Sequence, residues 1–417
     1  MKRKILIHSL VFSPDGVSTA YLYNDLALGF QEAGYEVIVL STTPHYNLVE
    51  HELQKQPLCK RLFGLYSTSS FHGIKVYHVY QKKYKQFLLR VIGFLFWHFM
   101  SFVIGLRQRN VSFILSPSPP LTIGLISIVL AKLKGAKVAY NVQEIYPDFL
   151  INQGSLKSGF LIRILQSLER FVYQYSDAVI TIDQLFYNTI KNRVKDRSKL
   201  HVIPNFVDTS LYKRTDSGTI LDNALFPSTD SLKVMYAGNI GYAQDWEPLL
   251  FAAEALKEKP IEFFVIGEGV LKESIRGAIQ QKSLHNIHLL PYQPRSFMPA
   301  IVSYADLHFI FMSPKMDEQG FPSKVYTIMA CGKPLVVISG KDTPLYHFLK
   351  ETGCAFLVES DNSIHTYQVL TQTFEKHLYD KYLLEEMGER GSAIIQQTYS
   401  KEVVVQQYIS LVQNILA

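Results

Sequence analysis

Residues 4–40 read KILIHSLVFSPDGVSTAYLYNDLALGFQEAGYEVIVL. Lys4–Leu10 is a short apolar run of the kind a buried strand needs. Asp15-Gly16-Val17-Ser18-Thr19 makes a tight turn. From Ala20 to Ala33 the apolar residues Leu22, Leu26 and Phe30 fall near helical spacing, and Gly34 is placed to close the helix. Glu36–Leu40 is apolar and β-branched again. Strand, helix and strand in this order form one βαβ unit, which predicts a parallel sheet covered by helices.

The same alternation continues outward. Further strands are expected at Lys75–Val79, Ser112–Leu115, Ala136–Asn141 and Ala178–Ile182, with helices at Leu121–Lys134 and Ser158–Tyr175. A second series begins with the strand Lys233–Ala237 and the helix Pro248–Leu256. Strands at Ile261–Ile266, His288–Leu290, Leu307–Phe311, Leu335–Ile338 and Ala355–Val358 complete it. The fold class is therefore α/β, with two Rossmann-like, doubly wound domains in tandem. We place them at residues 1–203 and 204–400, joined near His201-Val202-Ile203-Pro204-Asn205. The stretch Lys401–Leu416 carries Val404, Tyr408, Leu411 and Ile415 at helical period and is free to pack back on the first domain.

Length agrees with this division, since 417 residues at roughly 150 per domain make two or three domains. An apolar fraction of 47% supports large cores and excludes global disorder. Charged residues are only 19% and the mean hydropathy is +0.06, which leaves a membrane-surface role open. The net charge of +6 comes with no concentrated basic stripe, so nucleic acid is not an expected partner. Cys59, Cys331 and Cys354 show neither a disulfide framework nor zinc spacing, and no metal is expected. The apolar run after Met1-Lys2-Arg3-Lys4 stops at His8-Ser9, too early for a signal peptide.

Glycine-rich turns after strands are where such sheets hold phosphates. Three stand here: Asp15-Gly16, Gly238-Asn239-Ile240-Gly241 and Gly267-Glu268-Gly269. None completes GxGxxG and no GxxxxGK[ST] occurs, which argues against a nicotinamide enzyme and a P-loop ATPase. The sharpest segment is Gly320–Val337. Its turn Gly320-Phe321-Pro322-Ser323 opens a short helix that Gly332 and Pro334 end. Ser323 is expected as the N-cap, and Lys324 then opposes the helix dipole in the first turn. Either the ammonium stays in water or a bound diphosphate resolves the conflict.

Pro322-Ser323-Lys324-x-Tyr326-x-x-Met329-Ala330-x-Gly332-Lys333-Pro334 resembles the donor-site helix of retaining family-4 glycosyltransferases. The closest likeness is to the branch found in bacterial O-antigen, capsule and colanic-acid clusters. Val202-Ile203-Pro204-Asn205-Phe206-Val207-Asp208 resembles that family's interdomain segment. Tyr236-Ala237-Gly238-Asn239-Ile240-Gly241-Tyr242-Ala243-Gln244 and Gly267-Glu268-Gly269 resemble its donor loops. The likeness covers nearly the whole chain and implies a GT-B fold with two Rossmann-like domains facing across a cleft. It implies a nucleotide-sugar donor on the C-terminal domain, with no cofactor and no metal. Donor-binding residues are then Gly16, Gly238, Asn239, Gly241, Gln244, Gly267, Gly269, Pro322, Ser323 and Thr327, and the catalytic set is Glu144, Lys324 and Glu318.

Two departures bear on this assignment. Thr327 stands where the family has a glutamate for the donor ribose, and Gln319, with Asp317 and Glu318 beside it, stands where the earlier glutamate belongs. The family's basic pair after strand 233–237 is replaced by Asn239 and Asp245, which leaves Lys324 as the main cation. In the first domain, Asn141-Val142-Gln143-Glu144-Ile145-Tyr146-Pro147-Asp148 resembles a family segment that puts Glu144 at an acid position. A carboxylate there orients an acceptor hydroxyl or acts as a base, or else it is a solvated loop acid or a helix N-cap. His8 and His45 are read as structural rather than cleft-lining.

Residues 87–106 read FLLRVIGFLFWHFMSFVIGL, long enough to span about 30 Å. Lys82, Lys83 and Lys85 precede the segment, and Arg107 and Arg109 follow it. Arg90 and His98 lie inside it, which disfavours a transmembrane span. An interfacial or partly buried helix fits the basic flanks and the aromatics better than a wholly buried one. The expected activity is sugar transfer from a nucleotide-sugar donor, UDP-linked, to a polyprenyl-linked or growing saccharide. It is placed at the inner face of the cytoplasmic membrane, against an anionic surface. A non-hydrolysing sugar-nucleotide epimerase and a non-catalytic partner subunit are the alternatives.

Overall fold

The computed structural model describes residues 2–417 apart from 47, 49, 82–85, 217, 219, 223, 313–320 and 361–363. The chain forms two compact units, Met1–Asn205 with Glu402–Ala417, and Phe206–Lys401. Each is a sheet covered by helices.

The first unit holds β1 (Lys4–His8), β2 (Glu36–Thr42), β3 (Cys59–Arg61), β4 (Tyr66–Phe71), β5 (Ile74–Val79), β6 (Val111–Pro117), β7 (Lys137–Val142), β8 (Ala178–Thr181) and β9 (Leu200–Val202). Their order in the sheet is β3-β4-β5-β2-β1-β6-β7-β8-β9. From β5 to β9 the ladders are parallel, in register Ile5↔Val37 and Phe113↔Lys137, among others. The strand β4 is antiparallel to both β3 and β5, a hairpin extension that the apolar pattern does not announce. Tyr66-Ser67-Thr68-Ser69-Ser70-Phe71 is nearly all polar, so nothing in it alternates as a half-buried strand does. It is ordered instead by pairing with β5. The first strand ends at His8, two residues short of the expected Leu10, because its ladder to β2 stops there and its ladder to β6 one residue earlier.

The second unit is a six-stranded parallel sheet of β10 (Leu232–Ala237), β11 (Ile261–Ile266), β12 (Ile287–Leu290), β13 (Leu307–Phe311), β14 (Leu335–Ser339) and β15 (Ala355–Glu359). The order is β12-β11-β10-β13-β14-β15, a doubly wound arrangement. Strands such as Phe263-Phe264-Val265-Ile266 are buried throughout, as a sheet covered on both faces demands.

The helix Lys401–Leu416 returns to the first unit. It buries Val404, Tyr408 and Val412 there, and Asn141 Nδ2 donates to the Tyr408 hydroxyl. The apolar helix Phe87–Arg107 is likewise part of that unit. One stripe, Trp97, Met100, Ser101 and Ile104, is buried against the sheet and the helix Leu121–Lys134. The opposite stripe, Leu88, Ile92, Leu95 and Phe99, is exposed. By length and composition it is the one helix among the described residues able to cross a membrane, yet a third of it is packed into this unit.

Candidate functional site

In doubly wound sheets ligands sit beyond the carboxyl ends of the strands. At that edge of the second unit, β10 ends in Ala237 and the chain turns through Gly238 at φ 154°. Next to it, β11 ends in Ile266 and turns through Gly267 at φ 146°. Both angles belong to glycine alone. The turns are bonded to each other: Gly238 N donates to Ile266 O at 2.9 Å, Ile240 N to Glu268 O at 2.9 Å, and Leu271 N to Ile240 O at 3.1 Å. They touch backbone to backbone. A Cβ on Gly267 would stand 1.9 Å from Gly238 O, and one on Gly269 2.0 Å from Ile240 O.

Side chains then fix the 238–241 loop from its own side. The Tyr236 hydroxyl donates to Asn239 O at 2.7 Å and Trp246 Nε1 to Gly241 O at 3.3 Å. With its nitrogen turned to the loop, the Gln244 amide donates to Asn239 O at 3.0 Å and Gly241 O at 3.2 Å. Lys272 Nζ supports the second turn through Gly267 O at 2.9 Å and Glu268 Oε1 at 2.6 Å.

Lys324 opens the helix Lys324–Ala330 and is half-buried. Its Nζ lies 4.0 Å from the centroid of the Tyr236 ring and reaches Gly238, where an added Cβ would stand 2.6 Å from it. Among the described residues no carboxylate pairs with it. Desolvation pushes its pKa down to about 8. The aromatic face offers a cation partial compensation, but it brings no opposite charge. Beside the ammonium lies a cavity of about 200 Å³, with Tyr236, Gln244, Phe311, Phe321 and Pro322 in its wall. A cation that no described carboxylate pairs, aromatic surfaces and a glycine turn make a pocket suited to a flat ring carrying an anionic group.

Ser323 does not cap. Its backbone is already helical, at φ −55° and ψ −23°, and its Oγ accepts no helix N–H. The turn starts one residue earlier, where Val325 N donates to Pro322 O at 3.0 Å.

In the first unit, Glu144 follows β7. Its N–H and that of Gln143 both donate to Ser118 Oγ, at 3.0 and 2.9 Å. Burial raises the Glu144 pKa, and the Tyr146 hydroxyl opposes that shift. Gly16 N donates to Tyr46 O at 2.9 Å. Asp15 Oδ1 accepts the N–H groups of His45 and Tyr46, each at 2.8 Å, so the turns after β1 and β2 are tied together. His8 is fully buried on Ser127 Oγ at 3.0 Å, and desolvation holds its pKa down at about 3. His45 Nδ1 lies 2.7 Å from Thr43 O.

Comparison with known proteins supplies the family. Residues 20–211 match the model described as Glycosyltransferase Family 4, and residues 220–392 match Glycosyl transferases group 1. The chain belongs with the GT-B glycosyltransferases. Over 414 residues it is 23% identical to an Escherichia coli (strain K12) protein named as the colanic acid biosynthesis glycosyl transferase WcaI, covering 98% of this chain and 99% of the relative. It is 22% identical over 316 residues to the Pseudomonas aeruginosa glycosyltransferase named WbjE, covering 75% and 76%. Among solved structures, Anabaena HepE in complex with UDP superposes with a TM-score of 0.72 at 14% identity, over 99% of this chain and 100% of that one. WaaG, described as a glycosyltransferase of lipopolysaccharide biosynthesis, gives 0.66 at 13%, over 98% and 99%.

The glycosyltransferase thus draws Gln244, Pro322 and Lys324 around one cavity, with Gly238 against the Lys324 ammonium rather than in the cavity wall. Asn239 and Gly241 give their carbonyls to the loop's own support. Gly267 and Gly269 stand behind that loop, as the surface it rests on. Ser323 and Thr327 lie on the adjacent helix and are not in the cavity wall. Gly16 and Glu144 belong to the other unit. Glu318, with Asp317 and Gln319, lies outside the described residues. Sequence reasoning passed over Tyr236 as a platform for the lysine and Asp15 as the tie between two loops. Tyr236 was quoted only as part of a motif, because an aromatic at the end of a strand reads first as core.

Proposed function

We propose that the chain transfers a sugar from a nucleoside-diphosphate sugar, UDP-linked, to a polyprenyl-linked or growing saccharide in the synthesis of a bacterial surface polysaccharide. The observation that carries the reading is the half-buried Lys324 ammonium, unmatched by any described carboxylate and set over Tyr236 beside Gly238. As the bond from anomeric carbon to phosphate oxygen breaks, negative charge builds on the leaving diphosphate. A fixed cation in a desolvated site stabilises that charge more than it stabilises the ground state. Binding the diphosphate also restores the lysine's full protonation. With retention of configuration, a leaving phosphate oxygen takes the acceptor hydroxyl proton as the acceptor oxygen attacks the anomeric carbon. Glu144 orients the acceptor. No metal and no cofactor is needed in this scheme.

The names of WcaI, WbjE and WaaG support the surface-polysaccharide setting, and the UDP in HepE supports the choice of base. The exposed apolar stripe of helix Phe87–Arg107 supports peripheral attachment at the inner face of the cytoplasmic membrane. The test is calorimetry with UDP and GDP and their sugars, followed by transfer to a lipid-diphosphate acceptor. Lys324→Ala is expected to weaken UDP binding at least tenfold and to reduce turnover further. Undiminished transfer by that variant would remove Lys324 from its assigned role.

A further inference from the structure

The hairpin that the sequence hid carries an unusual tip. Leu62, Phe63 and Gly64 stand consecutively at φ 47°, 55° and 90°. Two ordinary residues in the left-handed region carry strain, and the bond from Leu65 N to Leu62 O at 3.2 Å closes the turn that holds them there. Phe63 is fully exposed, and Leu62 is half-exposed. The turn holds these two apolar side chains outward.

Directly behind the tip is a groove of about 430 Å³ between the hairpin and helix Phe87–Arg107. Leu65, Leu89, Ile92 and Phe96 line it, with Tyr80 and Gln81 as its polar members. Its size falls in the range that buries a small ligand. The exposed stripe Leu88, Ile92, Leu95 and Phe99 runs along the same helix, so tip, groove and stripe form one apolar surface on the first unit.

The stretch of sequence that builds this surface is one-sided in charge. Between Glu52 and Glu144 the chain has thirteen Lys and Arg residues and no Asp or Glu, while the rest of the chain is net acidic. Lys60 and Arg61 immediately precede the tip and are exposed on β3. Arg90 is exposed on the helix beside the groove. Apolar side chains projecting past a collar of cations, with no carboxylate in the surrounding sequence, complement the headgroups and chains of an anionic leaflet.

We propose that Leu62 and Phe63 insert between the lipids of an anionic bilayer leaflet and that the groove behind them seats one phospholipid acyl chain. This rests on the peripheral-membrane reading above and assigns it to a specific hairpin. The experiment uses the full chain and vesicles of equal parts phosphatidylglycerol and phosphatidylcholine, with pure phosphatidylcholine as the control.

Wild type is expected to float with the anionic vesicles. The double variant Leu62→Ser, Phe63→Ser is expected to partition at least tenfold less, with its thermal midpoint and UDP affinity unchanged because both side chains face solvent. Phe96→Trp, which places a reporter in the groove, is expected to be quenched by phosphatidylglycerol brominated on its chains beyond the quenching of wild type. Equal partition of the tip variant and wild type, or no added quenching, would overturn the inference while leaving membrane attachment standing. Failure of wild type to float at all would overturn both. Self-association through this surface without flotation would do the same.

Discussion

Lys324 is a cation kept where cations are disfavoured. Its pKa of about 8 makes it charged in most molecules at neutral pH and neutral in most above pH 9. Since the charged form receives the diphosphate, UDP affinity should fall as pH rises through about 8. Binding should also take up protons in that window. Calorimetry from pH 7 to 9 in buffers of different ionisation enthalpy reads both effects. Lys324→Met should bind weakly with a flat profile across the same range, and a wild-type profile that stayed flat would put the titrating charge elsewhere.

A second residue-scale prediction concerns the first unit. Glu169 is buried, and Arg193, its one cationic partner among the described residues, reaches it at 2.8 Å and Asp148 at 2.5 Å. Removing Arg193 leaves a buried carboxylate unpaired, a change that costs about 3–5 kcal/mol. Burial already raises the Glu169 pKa, and the Arg193 charge opposes that rise. Arg193→Ala should raise it further, so the destabilisation should be full at neutral pH and shrink as acid protonates Glu169. Urea unfolding at pH 7 and pH 5 checks both the size and the direction.

At the scale of elements, the donor-side edge is two glycine turns resting on each other. Their roles separate by substitution. Gly34 also has a positive φ, of 90°, but a Cβ there meets nothing within 4 Å. Gly34→Ala should cost about 1 kcal/mol, from conformation alone. Gly267→Ala adds a Cβ 1.9 Å from Gly238 O, and backbone cannot step aside as a side chain can. It should cost at least about 2 kcal/mol and displace the 238–241 loop, lowering UDP affinity in whatever protein remains folded. A Gly267→Ala protein that binds UDP normally would show that the loop needs no such support.

The same elements show what sequence can carry. Ile261–Ile266 and Leu307–Phe311 were legible end to end, because a strand buried on both faces is a plain apolar run. The β3–β4 hairpin was not, because its order comes from a neighbour's hydrogen bonds rather than from its own pattern. Lys324 was legible as a charge at odds with a helix dipole. Its platform on Tyr236, and the support of one glycine turn by another, depend on strands 24 or more residues apart becoming neighbours. No local pattern records that.

For the whole molecule, the decisive feature is that the chain leaves its first unit at Asn205 and comes back at Glu402. The returning helix buries Val404, Val405, Tyr408, Ile409, Leu411 and Val412. At about 1.5–3 kcal/mol for each fully buried side chain, this contact rivals the roughly 5–15 kcal/mol net stability of a domain. The fit is close as well, since a Cβ on Gly29 would stand 2.2 Å from Val405 Cγ1. The first unit should therefore not fold stably without a segment nearly 200 residues beyond its own last strand.

The chain has two tryptophans, both buried, Trp97 in the first unit and Trp246 in the second, so each unit has its own reporter. In a Trp246→Phe background, truncation after Lys401 should abolish or strongly lower the thermal transition seen by Trp97. In a Trp97→Phe background the same truncation should leave the Trp246 transition in place, because Lys401 and its 2.5 Å ion pair with Asp208 are retained. Tyr408→Ala in the full-length chain should lower only the Trp97 transition. Equal shifts at both tryptophans would mean that the two units unfold as one, and that the returning helix stabilises the whole chain rather than the unit it packs on.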